Sequence, residues 1–202
     1  MSWGIDVETA NGSAEGPRSI PWLWCVGVTA VAALARVLVA LTTTPFAASD
    51  TVGFTDLARM IGSMGFSGYT GLRTPPYPLF LLAVGSDPHP VRVAQMALGV
   101  AITAVLFVTT YRLSESTPTA VACALLYGLN LPQIYYESAV LSETLATFLI
   151  VCAVALLARL TGPEQNCSPL VVTGMALCAG VAALTRPPVS YTHLTLPTIY
   201  SV

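Results

Sequence analysis

Charged side chains are so sparse in this chain that the place where they gather is informative. Asp50, Asp56, Arg59 and Arg73 fall in one polar stretch between the first two apolar runs, Asp50-Thr-Val-Gly-Phe-Thr-Asp56-Leu-Ala-Arg59, followed by Arg73-Thr-Pro-Pro-Tyr-Pro78. A carboxylate can accept a proton from a hydroxyl. A guanidinium can hold the oxygens of a phosphate in a two-pronged fork. Any chemistry this protein carries is expected to sit in that stretch.

The composition explains why. Of 202 residues, 9% are charged and 54% hydrophobic, and the mean hydropathy is +0.72. A soluble domain carries roughly 25% charged residues, so this is the composition of a polytopic membrane protein. The basic residues are all arginine, and a net charge of −2 gives nothing for nucleic acid to bind. Cys25, Cys123, Cys152, Cys167 and Cys178 are scattered, with neither metal-ligand spacing nor a disulfide framework. Residues 1–19 hold Asp6, Glu8 and Glu15 against Arg18 and lack the basic start of a secretory signal. They are expected to form a short disordered tail.

A spanning helix needs about 20 mainly apolar residues, because the hydrocarbon core is about 30 Å thick. The stretches from about Ile20 to Thr42, Val91 to Tyr111, Pro118 to Leu131, Leu141 to Leu160 and Leu170 to Leu184 meet that need, the third being short and extended toward Gln133. The fold class expected is therefore all-α, a polytopic integral membrane protein of about five transmembrane helices over residues 20–188. The loop 43–90 is too long for a simple connection. Within it, Asp50 to Met64 reads as an amphipathic helix in the interface, capped by Ser49 or Asp50, and the prolines after Arg73 open a second interfacial helix. Arg18, Arg112 and Arg159 fall on one side of this arrangement and Arg59, Arg73, Arg92 and Arg186 on the other, so the arginine count does not favour an external loop 43–90.

The C-terminal run Val189-Ser-Tyr-Thr-His-Leu-Thr-Leu-Pro-Thr198 reads as translated transposon-end and adapter DNA from a sequencing library. Residues 189–202 are accordingly expected to be a non-native tail, the natural sequence ending near Pro188 and the chain being a fragment, inactive alone.

The order of motifs resembles the N-terminal part of the GT-C membrane glycosyltransferases, specifically the protein O-mannosyltransferase and aminoarabinose-transferase-like group, glycosyltransferase family 39 in type. The residues that carry the resemblance are Arg36 late in the first span, Asp50-x-x-Gly-Phe-x-x-Leu-Ala58, Arg73-x-Pro-x-Tyr-Pro78, Tyr136-Glu-Ser-Ala-Val-Leu-Ser-Glu143 and Gly180-x-x-x-Leu-Thr-Arg-Pro187. The resemblance implies transfer of a sugar from a polyprenyl-phosphate carrier to an acceptor glycan, lipid or protein, outside the cytoplasm at the cell membrane. In that family's terms Asp50 is the catalytic residue, as general base or acceptor-orienting group, and Arg73, Tyr77, Glu143, Arg186 and Arg36 bind substrate. No cofactor is implied beyond the lipid-linked donor. Thr51 stands where relatives often carry a second acid, which leaves metal dependence open.

Plainer roles stand beside these. Asp50 is also placed to cap a helix, Asp56 and Arg59 read as a surface pair, and Arg36 is placed to snorkel to the interface. Glu143 could cap or solvate the fourth span, with Glu137 the weaker candidate of the two. His89 reads as a solvated turn residue, and Tyr135 and Tyr136 as belt aromatics. The alternative function is a non-enzymatic membrane protein, a transporter or an assembly subunit for lipid-linked glycans.

Overall fold

The structure, a computed structural model, describes residues 19–47, 50–69, 73–161 and 168–186. The expected N-terminal tail, the cap Ser49, Cys167, Pro187 and the adapter-like tail lie outside the described residues. The chain is all-helical, with no strand among the described residues. Its helices are α1 (Trp22–Thr42), α2 (Thr51–Met64), α3 (Pro76–Val84), α4 (Pro88–Ser114), α5 (Thr117–Gly128), α6 (Leu131–Tyr136), α7 (Glu143–Thr161) and α8 (Pro169–Thr185). Three of them, α1, α4 and α7, are long and apolar enough to cross a membrane, whereas α5 and α8 are apolar but shorter.

Local sequence sets the boundaries. Proline in the first turn opens α3, α4, α5, α6 and α8, where a missing N–H costs nothing. Ser116 caps α5 by accepting from the Thr119 amide, and Asn130 caps α6 by accepting from the Gln133 amide. The third apolar run is therefore not one helix extending to Gln133. It breaks at Leu129-Asn130, because the asparagine side chain starts a new helix and Pro132 follows in its first turn.

The five apolar helices α1, α4, α5, α7 and α8 run up, down, up, down, up. Arg92 at the start of α4 meets Val39 and Thr43 at the end of α1, while Tyr111 near the end of α4 donates to the Ser19 carbonyl before α1. Gln95 of α4 donates to the Leu141 carbonyl before α7, so those two helices start together. Arg186, just past α8, faces Glu143 at the start of α7. The ends of α1, α5 and α8 and the starts of α4 and α7 thus form one end of the bundle. The helices α2, α3 and α6 lie at that same end, hereafter the loop end.

A polar knot lies just inside it. Arg36 of α1 and Glu137, which follows α6, are 1% and 0% exposed. They form a two-pronged ion pair, Nε to Oε2 and Nη2 to Oε1, each 2.8 Å. Arg36 Nη1 donates to the carbonyls of Ala32 and Gly128, both at 3.1 Å. The second of these is a carbonyl freed by the break after α5, so Arg36 closes the helix end that Asn130 opens. Broken helices are tolerated at membrane depth only where protein groups satisfy the freed backbone.

Small residues make room for the pair. A Cβ on Gly99 of α4 would lie 2.3 Å from Glu137 Oε1 and 2.5 Å from Arg36 Nη2. One on Gly128 would press on Ala32 and Thr103 at 3.0 and 3.2 Å. Close backbone approach through Gly and Ala is how helices associate where lipid removes the hydrophobic drive. Toward the opposite end, Cys25, Val28, Phe107, Tyr111, Ala120 and Ala124 pack α1, α4 and α5 together.

Removing one partner of a buried ion pair strands the other charge, at a cost of about 3–5 kcal/mol. Glu137→Gln is therefore expected to lower the unfolding midpoint in mixed detergent micelles substantially, and Gly99→Ala to do the same by wedging the pair apart. Substituting both Arg36 and Glu137 by methionine is expected to cost less than either single change. An unaltered midpoint for Glu137→Gln would show that the pair does not hold the bundle.

Candidate functional site

Above this knot, α2 and α3 fold over the loop end. Thr51 in the first turn of α2 donates through Oγ1 to the Val140 carbonyl at 3.1 Å, and Phe46 pairs with the strand-like segment at Ala139. Phe54, Ala58, Tyr77, Leu81, Val91 and Val140 form one apolar cluster that joins α2, α3, α4 and the segment before α7. Phe54 meets the Tyr77 ring edge-on, with centroids 4.9 Å apart. Such pairs contribute about 0.5–1.5 kcal/mol beyond simple burial.

That packing places the acids and arginines. Asp50 stands at the head of α2 but makes no capping hydrogen bond. Its Oδ1 instead accepts from Arg73 Nη2 at 2.7 Å, with both side chains substantially exposed. The Arg73 guanidinium lies over the Phe54 ring, 4.9 Å from its centroid, and against Gly53, where a Cβ would come within 3.3 Å of Arg73 Nε. Hydrogen bonding from Arg73 holds the Asp50 carboxyl below its ordinary range, and the same bond pushes Arg73 further up. As it stands, Asp50 is an ion on an accessible surface and a weak base.

A second pair lies at the same end, at the start of α7 and just past α8. Glu143 Oε1 and Arg186 Nη2 are 3.8 Å apart, an ion pair without a close hydrogen bond. The other oxygen of Glu143, Oε2, is buried and has no hydrogen-bond partner among the described residues. Tyr77 is fully buried and accepts from Gln95 Nε2 at 3.0 Å. Burial and, after it, the charge of Glu143 raise the Tyr77 phenol above its ordinary value. Tyr77 therefore remains neutral, its ring packed against Phe54 and Phe80.

The loop end thus gathers Asp50, Arg73, Tyr77, Glu143 and Arg186. Arg36 is not among them: it neither snorkels nor reaches the surface, and its guanidinium is engaged by Glu137 and two carbonyls. Asp56 and Arg59 form an exposed contact of 3.6 Å on α2. Of three residues of structural weight, Gln95 and Arg92 were given no role from sequence and Glu137 was ranked behind Glu143. Gln95, 0% exposed, ties Tyr77 to Leu141; Arg92 holds the end of α1; Glu137 balances Arg36. The signal for all three is a polar residue within or beside an apolar run, with Arg92 and Gln95 three apart on one helical face. Among the described residues, no three of His, Cys, Asp or Glu come together as metal ligands would.

Replacing Arg73 by methionine removes the main cause of the Asp50 shift. The Asp50 carboxyl is expected to return to the ordinary carboxylate range, read by carbon-13 titration. Because the folded-state value is the depressed one, the pair's contribution is present above the unfolded-state value and is lost as pH falls through the folded value. Arg73→Met should therefore lower stability modestly at neutral pH, where the exposed pair contributes, flatten the acid side of the profile, and leave stability below the folded-state value unchanged. An Asp50 titration that is the same in both proteins would contradict the pairing.

No family model, curated protein or solved structure matches the chain.

Proposed function

We propose that α1, α4, α5, α7 and α8 all cross a cell membrane, that the loop end faces the extracytoplasmic side, and that the protein is a glycosyltransferase using a polyprenyl-phosphate-linked sugar. The observation that carries the reading is the exposed Asp50–Arg73 pair at the loop end, with Glu143 and Arg186 paired at the same end. An accessible carboxylate and two accessible guanidinium groups are what sugar transfer from a lipid phosphate requires. Membrane lipid on all sides gives the donor a lateral route to them.

The donor phosphate competes with Asp50 for Arg73, because a guanidinium fork fits phosphate oxygens as well as it fits a carboxylate. Once Arg73 turns to the phosphate, Asp50 loses the bond that depresses its pKa and becomes the better base. It accepts the proton of an acceptor hydroxyl whose oxygen attacks the anomeric carbon. The bond from that carbon to the phosphate oxygen breaks, and the polyprenyl phosphate leaves with the electron pair. Arg73 and Arg186 hold the negative charge that develops there. Arg36 and Glu137, beneath, position the segment that carries Val140, Leu141 and Glu143.

One feature favours a second reading, a non-enzymatic transporter or assembly subunit. Ionisable groups inside a helix bundle are frequent in transporters, and Arg36–Glu137 is such a pair.

The two readings part on Asp50→Asn. In a transfer-competent form of the protein, the transferase reading expects kcat to fall about a hundredfold or more with donor binding retained. Arg73→Gln should instead weaken donor binding. Full transfer in Asp50→Asn would remove Asp50 as the base, whereas transport without any sugar transfer, equal in wild type and Asp50→Asn, would sink the transferase reading in favour of the second.

A further inference from the structure

Arg36, Arg59, Arg73 and Arg186 each face a carboxylate. Arg92 is 6% exposed, and no carboxylate among the described residues forms an ion pair with it. Its guanidinium donates from Nη1 to the Thr43 carbonyl at 2.7 Å, and from Nη2 to the Val39 carbonyl and Thr43 Oγ1 at 3.2 and 3.1 Å. Among the described residues its Nε–H meets no acceptor. The carbonyl end of α1 offsets about half a unit charge, but the amino end of α4, which carries Arg92, returns about as much. The corner therefore keeps close to a full positive charge where burial makes an unpaired ion costly.

A cavity of about 290 Å³ opens at that corner, lined by Ala40, His89, Pro90, Arg92, Val93 and Met96. Its residues are ordered by depth. His89 and Pro90 belong to the first turn of α4, at the interface, while Met96 lies about 10 Å further along the helix axis. Asp87, the acid closest to Arg92 in sequence, is exposed and is not part of the wall. The mouth is cationic and the inner wall apolar.

We propose that this groove between the end of α1 and the start of α4 seats an anionic membrane phospholipid, its phosphate at Arg92 and His89 and one acyl chain along Ala40, Val93 and Met96. A free phosphate would satisfy the charge but leave the apolar wall uncovered, whereas a phospholipid covers both. The lipid comes from the leaflet at the loop end. The site shares no residue with the proposed transfer site and requires only that α1 and α4 lie in a bilayer.

Native mass spectrometry of the full chain, released from micelles containing equal phosphatidylglycerol and phosphatidylcholine, tests this. The wild type is expected to retain phosphatidylglycerol preferentially. Arg92→Gln should reduce that preference about fivefold, the worth of one arginine at an anionic surface. Because Arg92 also secures the end of α1, Ala40→Phe provides a second variant that fills the groove, leaves the charge in place and should lose the lipid too. Equal uptake of both lipids by the wild type, or an undiminished preference in Ala40→Phe, would overturn the proposal. So would displacement of the lipid by millimolar inorganic phosphate, which would mark a site for the free anion.

Discussion

The Arg36–Glu137 fork is the interaction on which the rest of this structure depends. Two ions buried among apolar helices each lose several kcal/mol of hydration, and only close, two-pronged geometry with further hydrogen bonds compensates for that. The chain supplies those bonds from α1 itself and from the carbonyl at the end of α5. It also leaves Gly99 bare where any side chain would collide with the pair. One interaction thereby fixes four things: the depth of Arg36, the approach of α4, the break after α5 and the course of the chain into α7.

The consequence at the surface is a division of labour between arginines. Arg36 is spent within the bundle, Arg92 secures the end of α1 beside an open groove, and Arg73 and Arg186 reach the exposed end with carboxylates beside them. The exposed pairs are in a high-dielectric setting where such contacts are worth little to stability. Their presence on a lipid-facing protein makes better sense as exchangeable binding groups than as structural links. Asp50 can be released from Arg73 at small cost, whereas Glu137 cannot be released from Arg36.

Much of the architecture was legible because it rests on apolar length and helix punctuation. The five apolar runs all became helices, and α2 and α3 began where the polar loop turned amphipathic and proline-rich. The break at Asn130 was less visible, since an asparagine followed by proline was outweighed by the surrounding leucines. Which acids pair with which arginines was not legible. Glu137 looked weaker than Glu143 because both flank the same run, yet only packing across 101 residues of chain brings Glu137 to Arg36. Likewise Asp50 looked like a cap, and its bond to Arg73 depends on the fold of the intervening loop. Short-range rules see the helix; they do not see the partner that a returning chain brings to it.

In the proposed arrangement the loop end is a single membrane face, opposite the end that carries Arg112 and Arg159. Single cysteines in place of Asp56, Asp87 and Glu115, in a background with the native cysteines replaced, can be probed with a membrane-impermeant maleimide in intact cells. The account predicts labelling at positions 56 and 87 from outside, and at 115 only after permeabilisation. Labelling of 56 and 115 from the same side would contradict it.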